Sequence, residues 1–266
     1  MAQAGCAALP MGVRADPRGG ATVTDSNLTL PAPGELHLWV AELDMETETT
    51  TALDLLQSDE RARAERLLST AARHRFIMTR GLLRKLLERY LEQPAADIQL
   101  TSKQGKPGLA QDPAPLSFNV AHSHRRAAIV FAEGGNVGVD VEYLDRHVDH
   151  ERLARRVFSE NEYRSYEESE TATRQRMFFD AWSRKEAVLK ACGHGLRLPP
   201  RQTEVSLAPG EPVFMVRSAG QRWHVRGINV NDDYACAVAA DNEFTAVTQR
   251  LIATRHLDDM LQHSCS

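Results

Sequence analysis

The 266 residues have little of what marks several large protein classes. Charge of either sign is nearly balanced, with 32 Lys and Arg against 36 Asp and Glu and a formal charge of -4. That argues against a chain that coats nucleic acid, so any anion site must be local. The four cysteines, Cys6, Cys192, Cys236 and Cys265, are scattered with no CxxC spacing. Neither a structural zinc site nor a disulfide framework is indicated, and the cytoplasm is the expected compartment. No apolar run approaches the roughly 20 residues of a membrane span, and the first residues lack a charged-then-apolar secretory pattern. Neither nucleic acid nor a membrane is an expected partner. GGNVG at 134–138 lacks the strand-before, helix-after setting of a dinucleotide loop, and no GxxxxGK[ST] occurs. His122 and His124 form an HxH pair, but further zinc ligands have no recognisable spacing. What remains, 42% hydrophobic and 26% charged, fits a globular protein with a substantial core.

The chain divides into stretches of different character. Residues 1–33 mix Ala, Gly, Pro and Thr without periodicity and read as a mobile extension. LHLWVAELD from Leu36 reads as a strand, and a helix-rich segment follows from about Thr51 to Tyr90. FNVAHSHRRAAIVFAE and VGVDVEYLD read as strands, with Gly134-Gly135-Asn136 as a hairpin turn between them. Laying Leu38 on Val139, a shift of 139 − 38 = 101, brings Val40, Leu43 and Asp44 onto Val141, Leu144 and Asp145. The same shift brings Ser58 onto Ser159 and TAARHR (70–75) onto TATRQR (171–176). FNV at 118–120 also resembles INV at 228–230, each followed by an apolar strand candidate. The expected fold is α+β, a pseudo-twofold duplication of two similar α/β subdomains, 34–137 and 138–266, with the active site at their interface.

The chemistry concentrates in the second copy. Asp140 and Glu142 stand two apart in a strand, which sends both carboxylates to one face. Crowded carboxylates repel, and either protonation of one or a hard cation with oxygen ligands relieves them. In the helix predicted over Arg176–Cys192, Met177, Phe178, Ala181, Val188 and Cys192 make the buried stripe. Glu186 and Lys190 lie at its edge, one turn apart. Lys185 falls inside the stripe and so needs an anionic partner or an escape route. The shift places Trp39 opposite Asp140, Ala41 opposite Glu142 and Lys85 opposite Glu186, so only one half keeps the acids. Candidate phosphate-binding groups lie in the first half: Arg73 and Arg75 in one helix, Lys106 in the turn GKPG at 105–108, and His122.

In chain order, GKPGL (105–109), FNVAHS (118–123), GVDVE (138–142), FSENEY (158–163) and WSRKEAVLKACGHGL (182–196) resemble the motif series of the Sfp-type 4′-phosphopantetheinyl transferases. The similarity runs from about Leu36 onward, and the family's pseudodimer of two halves agrees with the repeat. By motif, the resemblance implies that Asp140, Glu142 and Glu186 bind magnesium, with manganese as an alternative, against the pyrophosphate of coenzyme A. Lys190 is implied to hold a phosphate oxygen and stabilise the leaving group, and Glu186 to act as base. Arg75 and His122 are implied to contact coenzyme phosphates and Lys106 the nucleotide, with Arg73, Asn119 and Ser123 as further coenzyme contacts. Arg61 and Arg63 are candidates for the upstream basic residues of some members. Ala121 stands where the family often has Ser, which implies weaker coenzyme binding. An acyl or peptidyl carrier protein is the implied partner of a monomeric enzyme, docking near 193–223, with Leu196, Arg197 and Arg201 as contacts. From the acids alone two other readings stay open: a metal-dependent phosphohydrolase acting on a nucleotide or coenzyme-like substrate, and a non-catalytic coenzyme A or carrier-binding module.

Overall fold

The structure, a computed structural model, describes residues 28–103, 106–145, 147–193, 198–209, 213–253, 257 and 259–261. Its first half opens with β1 (Glu35–Glu42), followed by helices α1 (Thr50–Asp54), α2 (Ser58–Glu65) and α3 (Thr70–Leu91). Four strands follow: β2 (Leu100–Lys103), β3 (Lys106–Leu109), β4 (Ser117–Ser123) and β5 (Arg126–Ala132). The second half runs β6 (Val137–Tyr143), α4 (His150–Val157), α5 (Glu160–Glu168), α6 (Thr171–Ala191) and a 3-10 turn at Pro200–Gln202. It ends with β7 (Phe214–Ser218), β8 (Gln221–Gly227), β9 (Tyr234–Ala240) and β10 (Ala246–Ile252).

Two four-stranded sheets, ordered β10-β1-β5-β4 and β6-β9-β8-β7, face each other, and β2 with β3 makes a separate hairpin. The period of two in each strand creates the layers. In β1, Leu36, Leu38 and Val40 pack with Val137, Val139 and Val141 of β6 between the sheets. Trp39 and Ala41, on the opposite face of β1, join Ile77, Leu82, Leu86 and Tyr90 of α3. On the outer side of the second sheet, Ala235, Ala237 and Ala239 of β9 join Phe178, Ala181 and Val188 of α6. The order is therefore helices, sheet, sheet, helices.

Helix starts follow the local chemistry. Ser69 caps α3 by accepting from the Ala72 amide, and Ser159 with Glu162 forms a reciprocal capping box on α5. Element boundaries recur at the sequence spacing: α3 begins at Thr70 and α6 at Thr171, a separation of 171 − 70 = 101. Each half also buries a basic side chain of its long helix against the N3 glutamate of the preceding short helix. Arg84 meets Glu60 at 2.7 Å and Lys185 meets Glu162 at 2.7 Å. Backbone carbonyls also accept from each cation, Ala95 and Ile98 from Arg84, Pro200 and Thr203 from Lys185. The anionic partner demanded by Lys185 is thus Glu162.

Several expectations need correction. Gly134-Gly135-Asn136 does not make a hairpin: β5 pairs with β1 and β4, β6 pairs with β9, and the turn passes the chain between sheets. Lys106, Pro107 and Gly108 belong to β3 rather than to a turn, while Gly105 lies outside the described residues. INV at 228–230 follows the end of β8 instead of matching the strand position of FNV. Of the expected extension, residues 1–27 lie outside the described residues, whereas the Leu28 amide donates to the Arg89 carbonyl and its side chain packs on the first core. Strand β10, expected with the second half, pairs in parallel with β1 and completes the first sheet. Leu257, Met260 and Leu261 join the same core.

Candidate active site

The site depends on a close approach of α6 to β6, and Gly138 permits it. A Cβ there would fall 2.1 Å from the Ala187 carbonyl oxygen and 2.6 Å from the Ala191 nitrogen. No side chain fits, so the helix lies against the strand backbone and brings Glu186 and Lys190 to the strand face that carries Asp140 and Glu142. Lys190 Nζ donates to Asp140 Oδ1 at 2.6 Å, bridging helix and strand; the expected helix neighbour Glu186 is not its hydrogen-bonded partner. The side chain of Asp140 is 4% exposed and that of Lys190 30%, so the pair is rooted in the protein and open at one side.

The electrostatics show that these four groups share one site. Burial and the charge of Asp140 push Glu142 up to about 7, against hydrogen bonds from Ser123 and Trp182 and the charge of Lys190. Burial and Asp140 also raise Glu186, with Lys190 opposing. Desolvation works against the Lys190 ammonium, but Asp140, Glu186 and Glu142 outweigh it and raise its pKa. Partial protonation of the strand pair is one of the two forms of relief such crowding requires. Two oxygens, Asp140 Oδ2 and Glu186 Oε1, are buried with no hydrogen-bond partner. Among the described residues, no three His, Cys, Asp or Glu side chains already stand gathered for an ion; the ammonium of Lys190 holds one Asp140 oxygen.

Both oxygens of Glu142 are bonded. Ser123 Oγ donates to Oε2 at 3.0 Å, and Trp182 Nε1 to Oε1 at 3.4 Å. Beside the acids lies a basic wall. His122, exposed on β4, has its pKa lowered by desolvation and by the charges of Arg75, Lys190 and Arg63, so the field at the ring is positive. A group of this kind suits an anion adjacent to the acids.

Residues 136–239 match a family profile described as the 4'-phosphopantetheinyl transferase superfamily, and residues 43–133 one described as 4'-phosphopantetheinyl transferase, N-terminal. The 4'-phosphopantetheinyl transferase HetI of Nostoc sp. is 35% identical over 80% of this chain and 90% of its own length. The chain belongs to the 4′-phosphopantetheinyl transferase family. The 4'-phosphopantetheinyl transferase Sfp of Bacillus subtilis is 25% identical over 73% of this chain and 85% of its own. AcpT of Escherichia coli K12, another 4'-phosphopantetheinyl transferase, is 33% identical over 46% of this chain and 58% of its own.

In this transferase the expected contacts divide into two groups. Lys190 bonds Asp140, Ser123 bonds Glu142, Glu186 feels the charges of Asp140 and Lys190, and His122 those of Arg75 and Lys190. The others are held elsewhere. Arg73 is exposed and its guanidinium donates to the Leu67 carbonyl; Arg174, at the same position in the second half, donates to the Glu167 carbonyl. Both clamp the turn before a long helix. Arg61 likewise bonds the Leu56 and Asp54 carbonyls, whereas Arg63 stands over the Phe76 ring, 5.2 Å from its centroid. Asn119 is buried and accepts from the Val139 amide at 3.1 Å, while Ser123 Oγ accepts from the Tyr143 amide at 3.1 Å. Two β4 side chains four residues apart thereby satisfy two β6 edge amides four residues apart and join the sheets. Ala121 is buried between the sheets, so a hydroxyl at this position would not face the cleft. Arg201 bonds the Arg156 carbonyl, and Leu196 and Arg197 lie outside the described residues. Trp182 stands in a quoted motif without any periodicity that marks it, yet it bonds Glu142 in the site.

Proposed function

We propose that the chain transfers the 4′-phosphopantetheine arm of coenzyme A to a serine of an acyl or peptidyl carrier protein, with magnesium or manganese held by Asp140, Glu142 and Glu186. The observation that carries this reading is the meeting of three acids and Lys190 across the α6–β6 contact, with Asp140 Oδ2 and Glu186 Oε1 buried and unpaired. An unsatisfied buried oxygen costs about 1–3 kcal/mol, more when charged, and a hard cation with oxygen ligands removes that cost. When bound, the cation neutralises charge on the pyrophosphate.

The protein's own groups do the rest by position and charge. Arg75 and His122 bind coenzyme phosphates along the basic wall, with Arg63 adding charge. Lys190 donates to a phosphate oxygen and offsets negative charge on the leaving group. Ser123 and Trp182 orient Glu142. Glu186, its pKa raised chiefly by burial, is the base. The serine oxygen bonds to the β-phosphorus as the bond from that phosphorus to the bridging oxygen breaks. The hydroxyl proton passes to Glu186, and 3′,5′-adenosine diphosphate leaves.

The recurring element boundaries and the paired Glu60–Arg84 and Glu162–Lys185 bridges support two similar halves, 34–137 and 138–266, with β10 returned to the first. The first half supplies the basic wall and the second the acids, with the active site at their interface. The enzyme acts as a cytoplasmic monomer, and the carrier approaches along 193–223 by charge complementarity. Incubation with coenzyme A, magnesium and an apo-carrier is expected to add the arm's mass to the carrier serine. Coenzyme A breakdown without carrier labelling points instead to a phosphohydrolase. Undiminished labelling by Glu186→Ala would remove this residue from the catalytic centre.

A further inference from the structure

Lys106 reaches from β3 to the contact between α6 and β6. Its ammonium donates to three backbone carbonyls: Val137 at 3.1 Å, Lys190 at 3.0 Å and Ala191 at 3.4 Å. Val137 begins the strand that carries Asp140 and Glu142, and Lys190 and Ala191 end the helix that carries Glu186 and Lys190. The last carbonyls of a helix lack intrahelical donors and bear the negative end of its dipole, so a cation there is doubly favoured. The side chain also comes from the β2–β3 hairpin of the first half and holds two elements of the second. It is half-buried, and desolvation lowers its pKa.

Apolar packing of Ala187, Val188 and Ala191 on the second sheet holds the helix against it, and at this end Lys106 adds a polar bridge between helix and strand. Gly138 provides no side chain to interlock with α6, because its close backbone approach excludes one. A small slip of the last helical turn would draw Lys190 Nζ from Asp140, since the carbonyl that Lys106 holds at 3.0 Å is that of Lys190 itself. We propose that Lys106 is a positioning residue: by gripping the end of α6 and the start of β6 together, it keeps Lys190 on Asp140 and in line with the transferred phosphate. This rests on the function proposed above and gives the Lys106 ammonium a role other than direct contact with the coenzyme.

The test compares Lys106→Met and Lys106→Arg with the full chain in carrier labelling at varied coenzyme A. For Lys106→Met, kcat is expected to fall roughly 10- to 100-fold, the scale of a misplacement of about 1 Å, with KM for coenzyme A within about twofold. Lys106→Arg, which can still donate to the carbonyls, is expected to recover part of kcat. A raised KM with intact kcat identifies a coenzyme contact and overturns the proposal, as does a lowered melting temperature with both constants unchanged. A crystal structure of Lys106→Met decides independently of activity. Lys190 Nζ farther than about 4 Å from Asp140 supports positioning, and an unchanged pair overturns it. Failure of the full chain to label any carrier would sink the functional reading while leaving that structural comparison decisive for Lys106.

Discussion

At the scale of single residues, the balance around Lys190 governs the site. One ammonium faces three carboxylates, and those acids hold it charged despite the desolvation of the cleft. Lys190→Ala is expected to lose about 2 to 4 kcal/mol of transition-state stabilisation, the range for removal of a preorganised charge donor. The measurement is kcat for carrier labelling; a rate equal to that of the full chain would exclude the role. These residues were legible because strand and helix periodicities place Asp140 with Glu142 and Glu186 near Lys190. Asn119 and Ser123 were half legible. Their types announce hydrogen bonding, but only the meeting of the β4 and β6 edges reveals that Asn119 serves the Val139 amide and Ser123 the Tyr143 amide. Arg73 misled for a related reason: an arginine near a helix start has the same signature whether it waits for a phosphate or clamps a preceding carbonyl.

At the scale of elements, the α6–β6 contact is the sensitive joint. Gly138→Ala places a methyl 2.1 Å from a backbone oxygen, where no flexible side chain can yield. The expected cost is at least about 1–3 kcal/mol by urea unfolding, together with lost labelling as the helix lifts off the strand. Gly108→Ala is the control, since its Cβ meets nothing nearer than Thr101 Oγ1 at 3.8 Å. An unchanged unfolding midpoint for Gly138→Ala would show that the joint has slack. The long helices were readable from apolar spacing, although α6 starts at Thr171, five residues before the predicted Arg176. The turn at Gly134-Gly135-Asn136 was misread because glycines of positive φ serve hairpins and sheet-to-sheet crossings alike. Asp241, which bonds both the backbone and side-chain nitrogens of Asn136, is far away in sequence and gave no local signal.

At the scale of the whole molecule, stability should depend on pH through the acids. Glu142 is pushed up to about 7 from an ordinary 4.5, so the folded state keeps a proton that the unfolded chain has already released across that interval. Stability in cation-free buffer is therefore expected to fall as pH rises from about 5 to about 8, with Glu186 contributing in the same sense. Added magnesium should flatten the profile by binding the deprotonated site. Melting temperatures measured with chelator and with magnesium check both statements, and a rise across the cation-free interval contradicts the first. The matching helix starts at Thr70 and Thr171 were readable as a shift of 101, yet no pattern announced that β10 returns to β1, because parallel pairing between distant segments leaves no local periodicity. That last strand has a consequence for biosynthesis. A ribosome delivers residues 35–42 well before residues 246–252, so the opening sheet stays one strand short until the later segment emerges. The first sheet is completed only after every strand of the second has been made.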